Sequence, residues 1–388
     1  MNKTVSILGA TGSVGKQALS VAKERGYKVS FLSGNGNVTE MERAARAHKP
    51  SAVAMAKEAA ARDLRCRLSD TNIKVLSAEE GILAGIREYG GDMVLNAILG
   101  KAGLQPTLEA IECGIPLALA NKESLVIAGD IVIPLAKSRG VDIIPVDSEH
   151  SAIFQSIKCG RNEEIKKIIL TASGGPFFGK SKEELRRVTL EQTLVHPTWK
   201  MGKKITVDSA TLMNKGFEIM EASHLFGIPE QRVEVLIHRE SILHSAVEFL
   251  DNIIVGEMSL PDMRSCIQYA IDYPCRVCAA ADSLDLASLG SLTFARPDTE
   301  AFPLLDLSRR ALREGGASGA VLNAADEVAV EAFLSEKISF FDISEVISTV
   351  YEKLGEAKGA KSLPEILAFD TEARLIAERE ISKLSVKR

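Results

Sequence analysis

Thr4-Val5-Ser6-Ile7-Leu8-Gly9-Ala10-Thr11-Gly12-Ser13-Val14-Gly15 opens the chain with an apolar run that breaks into three glycines. Residues 4–9 read as a buried strand, and the residues after Gly15 read as a helix to about Arg25. Strand, glycine-rich turn and helix in that order make a dinucleotide-binding start. The glycines let the backbone approach a pyrophosphate, and the helix N-terminus offers N–H groups and a positive dipole end. The spacing is G-x-x-G-x-x-G and not G-x-G-x-x-G, so the flanking strand and helix carry much of the signal. The competing reading is a tight strand–helix turn that binds nothing.

A second strand, about 28–32, runs into Ser33-Gly34-Asn35-Gly36-Asn37, where a Rossmann domain meets the adenosine ribose. Neither an acidic residue for a free 2′-hydroxyl nor a basic one for a 2′-phosphate stands there, so the choice between NAD and NADP is weakly encoded. Strand and helix patterns then alternate. Strands are expected at 52–55, 73–76, 93–98, 116–120 and 141–146, with helices near 57–64 and from Ala78, Leu104 and Glu123. Such alternation argues for a parallel sheet covered on both faces, with ligands beyond the carboxyl ends of the strands. Asn121, Lys122 and Glu123 lie at one such end; as an ordinary polar helix start they would mean nothing.

The strand at 141–146 leads into Asp147-Ser148-Glu149-His150. If the extended conformation continued, Asp147 and Glu149 would face the same way and need a cation or a shared proton between them. Hard oxygen ligands favour Mg²⁺ or Mn²⁺. A strand at 167–171 runs into Ser173-Gly174-Gly175, whose hydroxyl and backbone N–H groups suit a phosphate. His196-Pro197-Thr198-Trp199-Lys200-Met201-Gly202 holds the only tryptophan and reads as a flexible lid over an anionic substrate. Ser209 is expected to cap the next helix, on which Asn214, Lys215 and Glu218 share one flank. Further strands at 233–237 and 242–249 make residues 161–285 look α+β, and helical periodicity dominates beyond 302, where a structural role is expected.

The 388 residues suffice for two or three domains. With 46% hydrophobic and 26% charged residues and a net charge of −5, the composition fits a globular protein and argues against a general nucleic-acid binder. No apolar run approaches a membrane span, and the start enters a strand without a secretory signal. Six scattered cysteines, including the lone C-x-x-C at Cys275 and Cys278, suggest structural thiols in a reducing cytoplasm.

Seven motifs occur in one order: Gly-Ala-Thr-Gly-Ser-Val-Gly at 9–15, Leu-Ala-Asn-Lys-Glu-Ser-Leu-Val at 119–126, Pro-Val-Asp-Ser-Glu-His-Ser at 145–151, Thr-Ala-Ser-Gly-Gly-Pro-Phe at 171–177, the whole of 196–226, Pro-Asp-Met-Arg at 261–264, and Val-Leu-Asn-Ala-Ala-Asp-Glu-Val-Ala-Val at 321–330. Together they closely resemble the 1-deoxy-D-xylulose 5-phosphate reductoisomerase family along nearly the full length. The resemblance implies an α/β fold. It has an N-terminal Rossmann-like NADPH-binding domain at 1–150, a central α+β catalytic, metal-binding and dimerisation domain at 151–285, a linker at 286–302, and a C-terminal helical domain at 303–388. It also implies NADPH- and metal-dependent conversion of 1-deoxyxylulose 5-phosphate to methylerythritol 4-phosphate, by retro-aldol cleavage, re-aldolisation and hydride transfer. This is the committed step of the non-mevalonate isoprenoid pathway. A homodimer inhibited by fosmidomycin is expected.

Residue by residue, the resemblance makes Asp147, Glu149 and Glu218 the metal ligands. Ser173, Ser209, Asn214 and Lys215 match the phosphate clamp, Ser148 a substrate contact, and Lys122, Glu149, His150 and His196 the catalytic set. Trp199 belongs to the lid, and His244 is a further active-site histidine. Thr11, Gly12, Ser13, Val14, Gly34, Asn37, Asn121, Glu123, Gly202 and Met263 match the cofactor contacts. Four positions near the subunit contact or the nicotinamide depart from the family pattern: Arg239-Glu240 where Pro-Gln is usual, Ser259 where glycine is usual, and Cys266 where proline is usual. Gly36 stands where relatives often carry a basic residue for the 2′-phosphate. Two other classes compete with the reductoisomerase: a metal-assisted sugar-phosphate isomerase or aldolase without net cofactor use, and a non-catalytic nucleotide-binding protein. The last would be expected to lose one of Asp147, Glu149, Glu218 or Lys215, and none is lost.

Overall fold

The computed structural model describes residues 3–385. Strands β1 (Thr4–Leu8), β2 (Lys28–Gly34), β3 (Ala52–Met55), β4 (Lys74–Ser77), β5 (Met93–Asn96), β6 (Leu117–Leu119) and β7 (Ile143–Pro145) form one parallel sheet in the order β4-β3-β2-β1-β5-β6-β7. Val5, Ile7, Leu8, Phe31, Leu32, Val94 and Leu95 are buried without exposed surface, as expected of strands covered on both faces. The chain builds outward from β1 to β4 and then returns to the other side of β1 with β5. The order therefore reverses between β1 and β5, and this switch point is where such sheets hold ligands.

The second sheet is mixed. Strands β8 (Ile165–Ala172), β9 (Val233–Ile237), β10 (Leu243–Phe249) and β11 (Ile254–Met258) lie in the order β11-β10-β8-β9, with β8 and β9 parallel and the other pairs antiparallel. Ile168, Leu170, Val235 and Val247 pack with Ile219 and Phe226 of helix Met213–Phe226 in one core cluster. Helix Ser318–Leu334 is buried along most of its length and packs with Phe340–Lys353 and Leu363–Ser385. Strand β11 is not expected from the sequence. Its exposure alternates and it carries Gly256, so its strand pattern is short and weak.

Two compact units result, and they interleave along the chain. The first runs to Ser124 and adds Val132–Ser151 and Asp262–Ser283; the second takes Leu125–Ile131, Ala152–Pro261 and the chain from Leu284 on. The boundaries expected from the sequence are contiguous, whereas helix Met263–Asp272 returns to the unit of the parallel sheet and packs on helix Ser13–Arg25.

Two local expectations fail. The strand does not continue through Asp147 and Glu149: it ends at Pro145, and Ser148–Ser156 is a helix. Asp147 caps that helix, its Oδ1 accepting from Glu149 N at 3.1 Å and His150 N at 3.3 Å. A carboxylate that can satisfy the first N–H groups favours helix over a further extended residue. Ser209 is not an N-cap. Lys203–Ala210 forms its own helix with Ser209 in the last turn, and Leu212, at φ +60°, makes the joint to Met213–Phe226.

Candidate active site

The first unit offers a cradle for a dinucleotide. Gly9 has φ +76°, and a Cβ there would meet Ala97 O at 2.4 Å; one on Gly15 would meet Gly9 O at 2.3 Å. Only glycine fits at these two positions, which lets the turn close tightly at the switch point. Helix Ser13–Arg25 starts from Gly12, which brings no side chain to cap it. Thr11, Gly12, Ser13 and Val14 thus form an open helix N-terminus suited to an anion. Ala10 N donates to Ser33 O at 2.8 Å and fixes this turn beside the end of β2, where Gly34 lies. Asn37 caps helix Val38–His48 by accepting from Glu40 N at 3.2 Å. Met263 opens its helix behind Asp262, whose Oδ1 accepts from Arg264 N at 2.9 Å, in the same unit as the glycine turn.

Asn121 is engaged inside this unit. Its Nδ2 donates to Ile98 O at 2.8 Å, Gly100 O at 2.9 Å and Glu123 Oε2 at 2.9 Å. An amide has two hydrogens, so all are taken, and the side chain braces the loop after β5.

Carboxylate chemistry gathers at the end of β7. Lys122 Nζ stands 2.6 Å from Asp147 Oδ2, and both side chains are largely buried. His150, fully buried, places Nδ1 3.0 Å from Asp147 Oδ1. Ser148 donates its hydroxyl to the Glu149 carboxylate. Asp147 caps the helix and Glu149 lies in its first turn, where the dipole favours negative charge.

The second unit holds the remaining side chains. On helix Met213–Phe226, Asn214 Nδ2 donates to Glu218 Oε1 at 2.6 Å and Lys215 donates to the other carboxylate oxygen. Lys215 and Glu218 are buried, so the shared flank expected from their spacing is a desolvated ion pair. Gly175, at φ +63°, lies against the end of helix Lys203–Ala210: a Cβ there would meet Ser209 O at 2.7 Å. This close approach packs the turn that carries Ser173 against Ser209. Gly202 is the exposed residue from which that helix starts.

His196 has a defined tautomer. Its Nδ1 accepts from Trp199 N at 2.9 Å and Thr198 N at 3.2 Å, so the ring proton is on Nε2, 2.9 Å from Ser173 Oγ. Burial, aided by the Arg239 charge, pushes the ring pKa down to about 4. Ser173 Oγ also accepts from Gly175 N at 3.2 Å, which leaves its own hydrogen to donate to a ligand. Trp199 faces His244 with ring centroids 6.0 Å apart, and Thr198 Oγ1 is 3.2 Å from Ser241 Oγ.

Sequence reasoning misses two supports. Arg239 Nη1 donates to Gly175 O at 2.6 Å and Ser173 O at 3.1 Å, pinning the turn; its only signal is a departure from the family pattern. Lys204 Nζ bridges Asp208 Oδ2 and Asp326 Oδ2, each at 2.6 Å, and joins helix Lys203–Ala210 to helix Ser318–Leu334. A pairing across 122 residues leaves no mark in local periodicity.

The family model for 1-deoxy-D-xylulose 5-phosphate reductoisomerase matches residues 5–129, and two models of its C-terminal domains match 143–226 and 258–376. The chain is 50% identical over 378 residues to the 1-deoxy-D-xylulose 5-phosphate reductoisomerase of Acetivibrio thermocellus, covering 97% of this chain and 99% of that one. Identity to the reductoisomerase of Caldanaerobacter subterraneus is 48% over 375 residues, covering 96% and 97%. A crystal structure of DOX-P reductoisomerase in complex with NADPH, fosmidomycin and magnesium matches with a TM-score of 0.94 at 38% identity, over 98% of this chain and 99% of that one. The Zymomonas mobilis reductoisomerase in complex with NADPH matches at 0.91 and 39%, over 98% and 99%. Among the described residues no helix is long and apolar enough to cross a membrane. With such similarity across nearly its whole length, the chain belongs to the 1-deoxy-D-xylulose 5-phosphate reductoisomerase family.

Proposed function

We propose that this chain catalyses the NADPH- and divalent-metal-dependent rearrangement and reduction of 1-deoxy-D-xylulose 5-phosphate to 2-C-methyl-D-erythritol 4-phosphate. What supports this most is one recurring device: a largely buried carboxylate held by a lysine, Asp147 by Lys122 in the first unit and Glu218 by Lys215 in the second. Carboxylates in such surroundings need positive charge, and the lysines provide it. The carboxylates of Asp147, Glu149 and Glu218 are the proposed metal ligands, hard oxygen donors of the kind that suit Mg²⁺ or Mn²⁺. When bound, the ion polarises the substrate carbonyl as a Lewis acid. The lysines are then available to substrate oxygens, Lys122 near the reacting carbons and Lys215 at the phosphate.

The chain's own residues do the positioning. His150 orients Asp147, and Ser148 shares a hydrogen bond with Glu149. Ser173, Ser209, Asn214 and Lys215 clamp the phosphate, with neutral His196 steering the Ser173 hydroxyl. Lys122 and Glu123 stand beside the reacting centre, and Trp199 covers the substrate against water. Thr11 to Val14, Gly34, Asn37 and Met263 hold the cofactor, with Asn121 bracing the adjoining loop. Functionally, 1–150 carries NADPH, 151–285 catalysis and dimerisation, 286–302 the link, and 303–388 helical support. Fosmidomycin-type phosphonates would compete at the phosphate and metal groups.

A homodimer fits the second sheet. Leu250, Ile253 and Ile254 are 57–64% exposed on the β10–β11 hairpin, and β11 is an edge strand. An exposed apolar edge of this kind is a template for pairing. Five exposed thiols, all free, suit a reducing cytoplasm.

Glu218→Gln tests the assignment. Turnover should fall by about a thousandfold or more, since a metal ligand is lost, while NADPH affinity stays near wild type. Wild-type turnover in that variant would overturn the metal role.

A further inference from the structure

A Rossmann sheet meets the adenosine ribose at the carboxyl end of β2, and here that end reads Gly34-Asn35-Gly36-Asn37, without a charge. The β2–β3 ladder continues past both strands. Ala56 N donates to Gly34 O at 2.9 Å, and Lys57 N to Asn35 O at 3.2 Å. These two bonds draw the segment after β3 alongside the segment after β2. Lys57 consequently lies over Gly36: a Cβ on Gly36 would stand 3.1 Å from Lys57 Cδ and 3.7 Å from Nζ. The missing side chain at position 36 is the room the Lys57 stem occupies.

Charge around Lys57 is already sorted. Lys16 and Arg43 both pair with Glu40, at 2.7 and 2.6 Å, and Arg62 pairs with Glu58 at 3.5 Å. Lys57 makes no ion pair among the described residues, and no carboxylate stands at 33–37 to bind a free 2′-hydroxyl. An exposed, unpaired ammonium at the ribose end of the site is suited to an anion there.

We propose that Lys57 reads the 2′-phosphate of NADPH, and that it sets the preference over NADH from the loop after β3. The inference rests on the cofactor reading above. Hydrogen bonds to charged groups contribute about 1.5–3 kcal/mol, which converts to roughly a ten- to hundredfold change in affinity.

Dissociation constants for NADPH and NADH, measured calorimetrically on wild type, Lys57→Gln and Lys57→Arg, test it without turnover. Adenosine 2′,5′-bisphosphate and 5′-AMP serve as probes of the adenosine end alone. Lys57→Gln should weaken NADPH and the bisphosphate on the order of tenfold or more, leave NADH and 5′-AMP unchanged, and Lys57→Arg should retain the preference. Unchanged NADPH affinity in Lys57→Gln, or equal weakening of NADPH and NADH, would overturn the role. Wild type that binds neither nucleotide would instead sink the cofactor reading itself.

Discussion

At the scale of the residue, the chemistry of a side chain is legible in the sequence but its protonation is not. His196 and Ser173 stand out in the sequence as candidate site residues, yet the state of the histidine comes from its own turn. Two backbone N–H groups occupy Nδ1, and burial with the nearby Arg239 charge holds the ring neutral. A pKa lowered from 6.5 to about 4 means that the unfolded chain takes up the proton first. Folding stability from this group is therefore complete above pH 6.5 and declines as pH falls toward 4. A proton NMR titration should show the His196 ring unprotonated at pH 6, with a midpoint near 4. A midpoint at 6.5 or above would contradict a neutral ring with its proton on Nε2. The consequence for activity is that His196 donates a hydrogen bond throughout the neutral range and does not shape the acid limb of the rate profile.

At the scale of the element, alternation of strands and helices places the parallel sheet and most of its helices correctly. It fails where a side chain competes with periodicity. Asp147 can satisfy two helical N–H groups, so the segment turns into a helix just where extended spacing would align two carboxylates. Arg239 shows the opposite case, a departure from the family pattern that proves to hold the Ser173–Gly175 turn. Arg239→Ala should raise the KM for the phosphorylated substrate several-fold, on the scale of one or two charged hydrogen bonds, with NADPH affinity unchanged; an unaltered KM would show that the turn holds without it. Helix Ser318–Leu334, expected to be structural, reaches helix Lys203–Ala210 through Lys204 and Asp326. Removing one partner of a buried pair costs about 3–5 kcal/mol. Lys204 keeps Asp208 and is not left unpaired, so Asp326→Ala should cost less, about 1.5–3 kcal/mol for the lost charged hydrogen bond. Thermal denaturation should show a clear fall in Tm, and a Tm within a degree or so of wild type would mean the bridge contributes little.

At the scale of the whole molecule, the compact units are not contiguous stretches of sequence: the chain leaves each one and re-enters it. The return of Met263 to the unit with the glycine turn is invisible to composition, since the pairing of helix Met263–Asp272 with Ser13–Arg25 spans most of the chain. The motif order carries the family where local signals cannot. The exposed edge of the second sheet makes a prediction at this scale. The proposed homodimer should be lost in light scattering when Ile254→Lys and Leu250→Lys are combined, while circular dichroism stays native. A variant that remains dimeric would place the contact elsewhere.

The most direct test monitors NADPH absorbance with purified enzyme and 1-deoxyxylulose 5-phosphate, with Mg²⁺ or Mn²⁺ and with chelator, while methylerythritol phosphate is quantified in the same samples. The predicted result is metal-dependent oxidation of one NADPH for each product molecule. Product formed without cofactor consumption, or no reaction with either metal, would contradict the reductoisomerase assignment.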